Sequence, residues 1–112
     1  MTFEVHELRL QRTVVLTASR WEHIIRRHPE MAAHGPEIRN ALTSADVILA
    51  STQRPNVELY YKRLREGRFG PIWLKVVVAF AEDDLGEVLT TFLVYNISGG
   101  EVLWLPPDLK LT

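Results

Sequence analysis

At 112 residues, with 46% apolar and 24% charged side chains, the chain has the size and composition of one ordinary globular domain and is too short for two independent cores. It contains no cysteine, which excludes disulfides and thiolate metal sites, leaves a hydrophobic core to hold the fold, and agrees with a reducing, cytoplasmic setting. A net charge of −1 argues against a broad basic surface for gripping long nucleic acid, and the longest apolar run, Val76 to Ala81, is far short of the about 20 residues needed to cross a bilayer.

The first residues, Met1 to Glu7, are acidic where a secretion signal needs a basic start and an apolar run, so no export and no membrane partner are expected. Phe3, Val5, Leu8 and Leu10 alternate with one slip of phase and Val14-Val15-Leu16 follows, which predicts one or two short strands. Ser19-Arg20-Trp21-Glu22 matches a capping box, with Thr17 as an alternative cap, and opens a helix. Trp21, Ile24, Ile25 and His28 form its inner stripe, and Pro29 stops it near Arg27 or His28. Gly35-Pro36-Glu37 starts a second helix, with Ile38, Ala41 and Leu42 facing inward and an end near Ser44.

Val47 to Ala50 reads as a short buried strand and Gln53 to Asn56 as a turn. Three longer strands follow, Val57 to Arg65, Ile72 to Ala81 and Glu87 to Tyr95, joined by glycine-bearing loops that favour consecutive antiparallel pairing. Gly99-Gly100 turns the chain into an edge strand at Val102 to Leu105, Pro106-Pro107 prevents its extension, and the tail beyond is expected to be loose. The fold class is therefore a single α+β domain over residues 1 to 112, with two short N-terminal helices packed on a mostly antiparallel twisted sheet of about four to six strands.

Alternation sets Ile72, Leu74, Val76, Val78 and Phe80 against Trp73, Lys75, Val77 and Ala79; in the next strand it sets Val88, Phe92 and Val94 against Leu89, Thr91, Leu93 and Tyr95. Both sheet faces are apolar, yet two short helices cover only one. The other needs terminal strands, a ligand or a partner subunit, and a homodimer through Trp73, Val77, Leu89 and Leu93 is expected.

Charge is unevenly placed. Lys62, Arg63, Arg65, Arg68 and Lys75 stand against Glu66 alone, whereas Glu82, Asp83, Asp84 and Glu87 have no base among them; solvated turns or a small anion site both account for this. Lys75 lies amid Leu74 and Val76-Val77-Val78, where an unpaired ammonium is costly, and Glu30 and Glu58 are its candidate partners. His23 and His28, five residues apart, do not share a helical face, so no metal site is expected. No nucleotide-binding glycine loop or serine-hydrolase elbow occurs.

The stretch Trp21 to Glu30, ending Arg27-His28-Pro29-Glu30, together with Leu59-Tyr60-Tyr61-Lys62, Leu74-Lys75-Val76-Val77-Val78 and a later strand with Thr91, resembles the phage-associated members of the barnase, EndoU, colicin and RelE nuclease superfamily. The likeness runs roughly from Val15 to Tyr95. It implies cleavage of RNA through the ribose 2′-hydroxyl, with no cofactor and no metal, and a cognate inhibitor protein as a further partner. His28 then falls to general acid or base, because imidazole changes charge near neutral pH. Lys62, Lys75 and Tyr61 complete the catalytic set, and Arg27, Glu30, Arg63 and Thr91 contact substrate.

Each residue also has a structural reading. His28 can offset a helix dipole or hydrogen-bond a carbonyl, Tyr61 is an ordinary strand former, and Lys62 can be an exposed strand lysine. The rival function is a non-catalytic dimeric binding module of the same fold that holds a protein partner.

Overall fold

The computed structural model describes residues 1–108. Strands β1 (Phe3–Glu7) and β2 (Arg12–Leu16) pair as an antiparallel hairpin, so the phase slip in the sequence marks a true turn. Gln11 closes that turn with φ 63°, and its side-chain amide donates to the Leu8 carbonyl at 2.8 Å.

Helix α1 (Ala18–Arg27) begins earlier than the Ser19 capping box requires. Thr17 leaves β2 already extended, and its Oγ1 accepts from the Arg20 amide at 3.2 Å, which places Ser19 inside the first turn. The Pro29 stop is observed: His28 leaves helical geometry at φ −134°, while its amide still donates to the Ile24 carbonyl. A 3₁₀ turn (Pro29–Ala33) that the pattern did not announce then buries Met31. Helix α2 (Gly35–Thr43) buries Ile38, Ala41 and Leu42, as its spacing predicts.

The remaining strands are β3 (Val47–Ser51), β4 (Val57–Gly67), β5 (Gly70–Glu82), β6 (Leu85–Val94) and β7 (Gly100–Trp104). They form one sheet of order β1-β2-β6-β5-β4-β3-β7. The sheet thus has seven strands rather than four to six, and a hairpin precedes the helices. β4, β5 and β6 are consecutive antiparallel neighbours, β7 lies at the edge beside β3, and among the described residues only β2 and β6 pair in parallel. The expectation of a loose tail falls, for residues 109–112, outside the described residues.

Both faces of the sheet carry a core. Ile24, Met31, Ile38 and Leu42 from the helical layer pack with Leu74, Val76, Val78 and Val88. On the other face Val47, Leu49, Val57, Leu59, Tyr61 and Trp73 cluster beneath Ile97 and Leu105, so part of this face is roofed by the chain itself. Trp73 is left only 7% exposed.

One irregularity inverts the expected faces of β6. Val77 pairs with Thr90 but Val78 with Val88, which leaves Leu89 as a bulge. Beyond it Thr91 and Leu93 turn to the helical side, whereas Leu89 and Val94 join the outer core. Phe92 comes opposite Lys75. Leu93 consequently leaves the apolar face assigned to a dimer, and Trp73 is covered from within. No helix among the described residues is long and apolar enough to cross a membrane.

Candidate functional site

β2 pairs only with Leu85, Gly86 and Glu87 of β6, so the rest of β6 runs as an open edge against which α1 packs. The proline stop delivers His28 to this edge, where its ring lies on that of Phe92 with centroids 5.2 Å apart and 25° between planes. The imidazole is a third exposed, and its Nδ1 stands 3.7 Å from Glu30 Oε1. From the neighbouring strand, Lys75 sets its Nζ 5.5 Å from the centre of the same Phe92 ring and 5.7 Å from that of Tyr61. His28 and Lys75 thus meet on one phenylalanine, and Lys75 in turn reaches the ring of Tyr61.

Burial lowers the Lys75 ammonium below its ordinary pKa, because the charged form loses water. Neither expected carboxylate pairs with it: Glu30 stands beside His28, and Glu58 belongs to Arg12. Among the described residues Lys75 has no ion-pair partner. The Tyr61 hydroxyl donates to the Ser98 carbonyl at 3.0 Å, and burial raises its pKa. What Tyr61 offers Lys75 is therefore its ring face.

Other expected site residues stand apart. Lys62 pairs across the sheet with Leu74, on the helical side, and its Nζ donates to Ser44 O at 2.9 Å and to Asp46 Oδ1 at 3.3 Å. It does not join His28 and Lys75. Arg63 is exposed and pairs with Glu66. Thr91 is fully buried and donates to the Lys75 carbonyl at 2.8 Å, which fixes the β5–β6 register rather than presenting a hydroxyl to substrate. Arg27 is exposed in the last turn of α1, one residue from His28.

A cleft of about 280 Å³ adjoins Lys75 on the outer face. Its walls combine Arg54, Gln53, Ser51 and Ser98 with the aliphatic side chains of Val57, Leu59 and Val77, and among the described residues no carboxylate lines it.

A second polar cluster lies on the helical side and was not foreseen. Arg12 forks onto Glu58 and donates to Tyr60 Oη at 2.8 Å, with its guanidinium carbon 4.1 Å from the Phe80 ring centre. Glu7, fully buried, accepts from the Arg9 and Leu10 amides. Burial raises the Tyr60 phenol strongly, and the neighbouring Glu7 carboxylate adds to the effect. Burial alone would lower Arg12, but its hydrogen bonds and charge interactions with Glu58 and Tyr60 outweigh that and hold it above its ordinary value. Because Glu7, Arg12 and Glu58 answer one another's needs, this cluster ties the β1–β2 hairpin to β4. Arg12 and Glu58 are 46 positions apart, so only the fold could reveal the pair.

Among the described residues no three histidine or acidic side chains gather as metal ligands. Compared with protein-family models, curated proteins and solved structures, the chain matches none.

Proposed function

We propose that this chain is a metal-independent endoribonuclease of the toxin-like type, cleaving single-stranded RNA by attack of the 2′-hydroxyl on the adjacent phosphorus. The observation that carries the reading is the meeting of His28 and Lys75 on Phe92 at the open edge of β6. In the step proposed, the imidazole removes the 2′-hydroxyl proton as the O2′–P bond forms. The P–O5′ bond breaks, and the leaving oxygen takes a proton from solvent water, giving a 2′,3′-cyclic phosphate and a free 5′-hydroxyl. Lys75, without an ion-pair partner among the described residues and partly desolvated, opposes the negative charge that builds on the non-bridging oxygens. Glu30 faces Nδ1 and orients the ring, leaving Nε2 for substrate, while Arg27 supplies a neighbouring positive charge.

The test is incubation of purified protein with single-stranded RNA in EDTA, with the matching DNA as control. Cleaved RNA bearing cyclic phosphate ends and intact DNA are expected, since DNA lacks the attacking hydroxyl. His28→Ala should slow cleavage about a hundredfold or more with little change in melting temperature, because the ring is a third exposed. Intact RNA across varied sequences would refute the reading.

A second reading has its own support: Tyr61 Oη, Lys62 and Thr91 are all engaged within the chain, and an apolar hollow of about 200 Å³ opens on the outer face. Val15, Ala79, Ala81, Leu85 and Leu89 line it. These features suit a non-catalytic module that dimerises or holds a protein partner. A monomer at high micromolar concentration in light scattering would remove its dimeric form.

A further inference from the structure

We propose that the cleft beside Lys75 is a subsite for one phosphate-bearing nucleotide of the RNA strand, next to the bond that His28 attacks. The inference rests on the ribonuclease reading for the position of the scissile bond, but the cleft's own chemistry is independent of it. Arg54 and Lys75 both line the cleft, and neither has an ion-pair partner among the described residues. With no carboxylate in its walls among the described residues, the cleft suits an anion, with Arg54 and Lys75 to attract it.

Its polarity is divided in the way a nucleotide requires. Val57, Leu59 and Val77 form an aliphatic surface for the flat face of a base, while Arg54, Lys75, Gln53 and the serines supply donors for phosphate and sugar. At about 280 Å³ it lies near the lower limit of small-ligand pockets, roughly 300 Å³, which suits one nucleotide and not a duplex. Lys75 gives continuity: it lines the cleft and also touches Phe92, on which His28 lies. A strand crossing Phe92 would thus keep one phosphate within reach of Lys75 and place the next nucleotide toward Arg54. The turn at Arg54 is braced independently of any ligand, because Ser51 Oγ accepts from the Gln53 and Arg54 amides at 3.2 Å each.

The experiment is a titration of isotopically labelled full-length chain, followed by amide resonances, with adenosine 5′-monophosphate, adenosine and inorganic phosphate as separate probes. The monophosphate should saturably shift Ser51, Gln53, Arg54, Val77, Ser98 and Gly99. Arg54→Gln should weaken that binding at least tenfold, with an otherwise unchanged spectrum because Arg54 is an exposed turn residue. His28→Ala should bind the monophosphate as the wild type does. If inorganic phosphate binds as tightly at the same residues, the cleft is a simple anion hole and the nucleotide assignment is overturned; absence of any saturable shift also overturns it. Nucleotide binding with uncleaved RNA would sustain the subsite and sink the ribonuclease reading. RNA cleavage with an unchanged KM in Arg54→Gln would do the opposite.

Discussion

Arg12 meets Glu58 in a two-pronged ion pair whose side chains are each 14% exposed, one prong measuring 2.7 Å, so the hairpin that begins the chain is fastened to β4 by charge in the interior. Removing one partner leaves the other charged and poorly hydrated. Glu58→Ala should therefore cost about 3 to 5 kcal/mol in urea melts, whereas Lys62→Ala, which breaks a more exposed pair with Asp46, should cost about 1 kcal/mol or less. Equal losses would show that the Arg12 pair is as solvated as a surface bridge.

That pair also shows where sequence reading stops. Helix α2 and the succession β4, β5, β6 were legible because local spacing, proline placement and glycine loops specify them within a few residues. The faces of β6 were not, since the bulge at Leu89 inserts one residue and carries Phe92 and Thr91 to sides opposite to those strict alternation assigns. His28, Lys75 and Tyr61 were each visible as candidates; the meeting of His28 and Lys75 on Phe92 depends on that bulge and on the open edge of β6, and Tyr61 joins them through Lys75. Lys62, adjacent to Tyr61 in sequence, falls on the other face by the same period-two rule that brings Tyr61 to Lys75.

The inner stripe of α1 is graded. Ile24 is fully buried in the helical core, whereas Trp21, the first residue of the stripe, packs against that core only partly covered. Ile24→Ala should cost about 2 to 5 kcal/mol, the range for a large aliphatic removed from a core. Trp21→Ala should fall below the roughly 3 to 5 kcal/mol of a fully buried tryptophan. Denaturant melts compare them directly, and a negligible loss for Ile24→Ala would mean the helix packs by another face.

Gly86 lies where β2, β6 and β5 meet, pairing with Val14 on one side and Phe80 on the other. A β-carbon there would come within 2.6 Å of the Phe80 ring and 2.7 Å of Val78 Cγ1. Gly86→Ala should destabilise by about 1 to 3 kcal/mol through overpacking, read as a lower urea midpoint. An unchanged midpoint would show that Phe80 can swing aside without cost.

Lys75 has a pH signature of defined sign. Its pKa in the fold is depressed by burial, so folding opposes protonation there. The resulting penalty is fully present below the folded pKa and fades as pH rises toward the ordinary lysine value of 10.5. Lys75→Met, which keeps an unbranched side chain but removes the charge, should accordingly be more stable than wild type at pH 7, with the advantage shrinking as pH rises toward that value. Urea midpoints across that span measure it, and an advantage that grows with pH would contradict the assigned cause.

Phe92 supplies the sharpest separation between a site and a chance cluster, because it contacts both groups assigned to the chemistry without itself exchanging a proton. Phe92→Ala removes the surface on which His28 lies and one of the two rings beside the Lys75 ammonium, while leaving Glu30 next to the imidazole. If the ring positions those groups, the variant should lose about tenfold to a hundredfold in kcat for RNA cleavage, since small misplacements of reacting groups carry penalties of that order. Lys62→Ala, on the helical side and held by Ser44 and Asp46, should keep kcat within about twofold of wild type because it stands apart from His28 and Lys75. Single-turnover kinetics with both variants, each checked for an unchanged near-ultraviolet dichroism spectrum, distinguish the alternatives. A strong loss in Lys62→Ala together with full activity in Phe92→Ala would move the chemistry to the helical side of the sheet and overturn the assignment of His28 and Lys75.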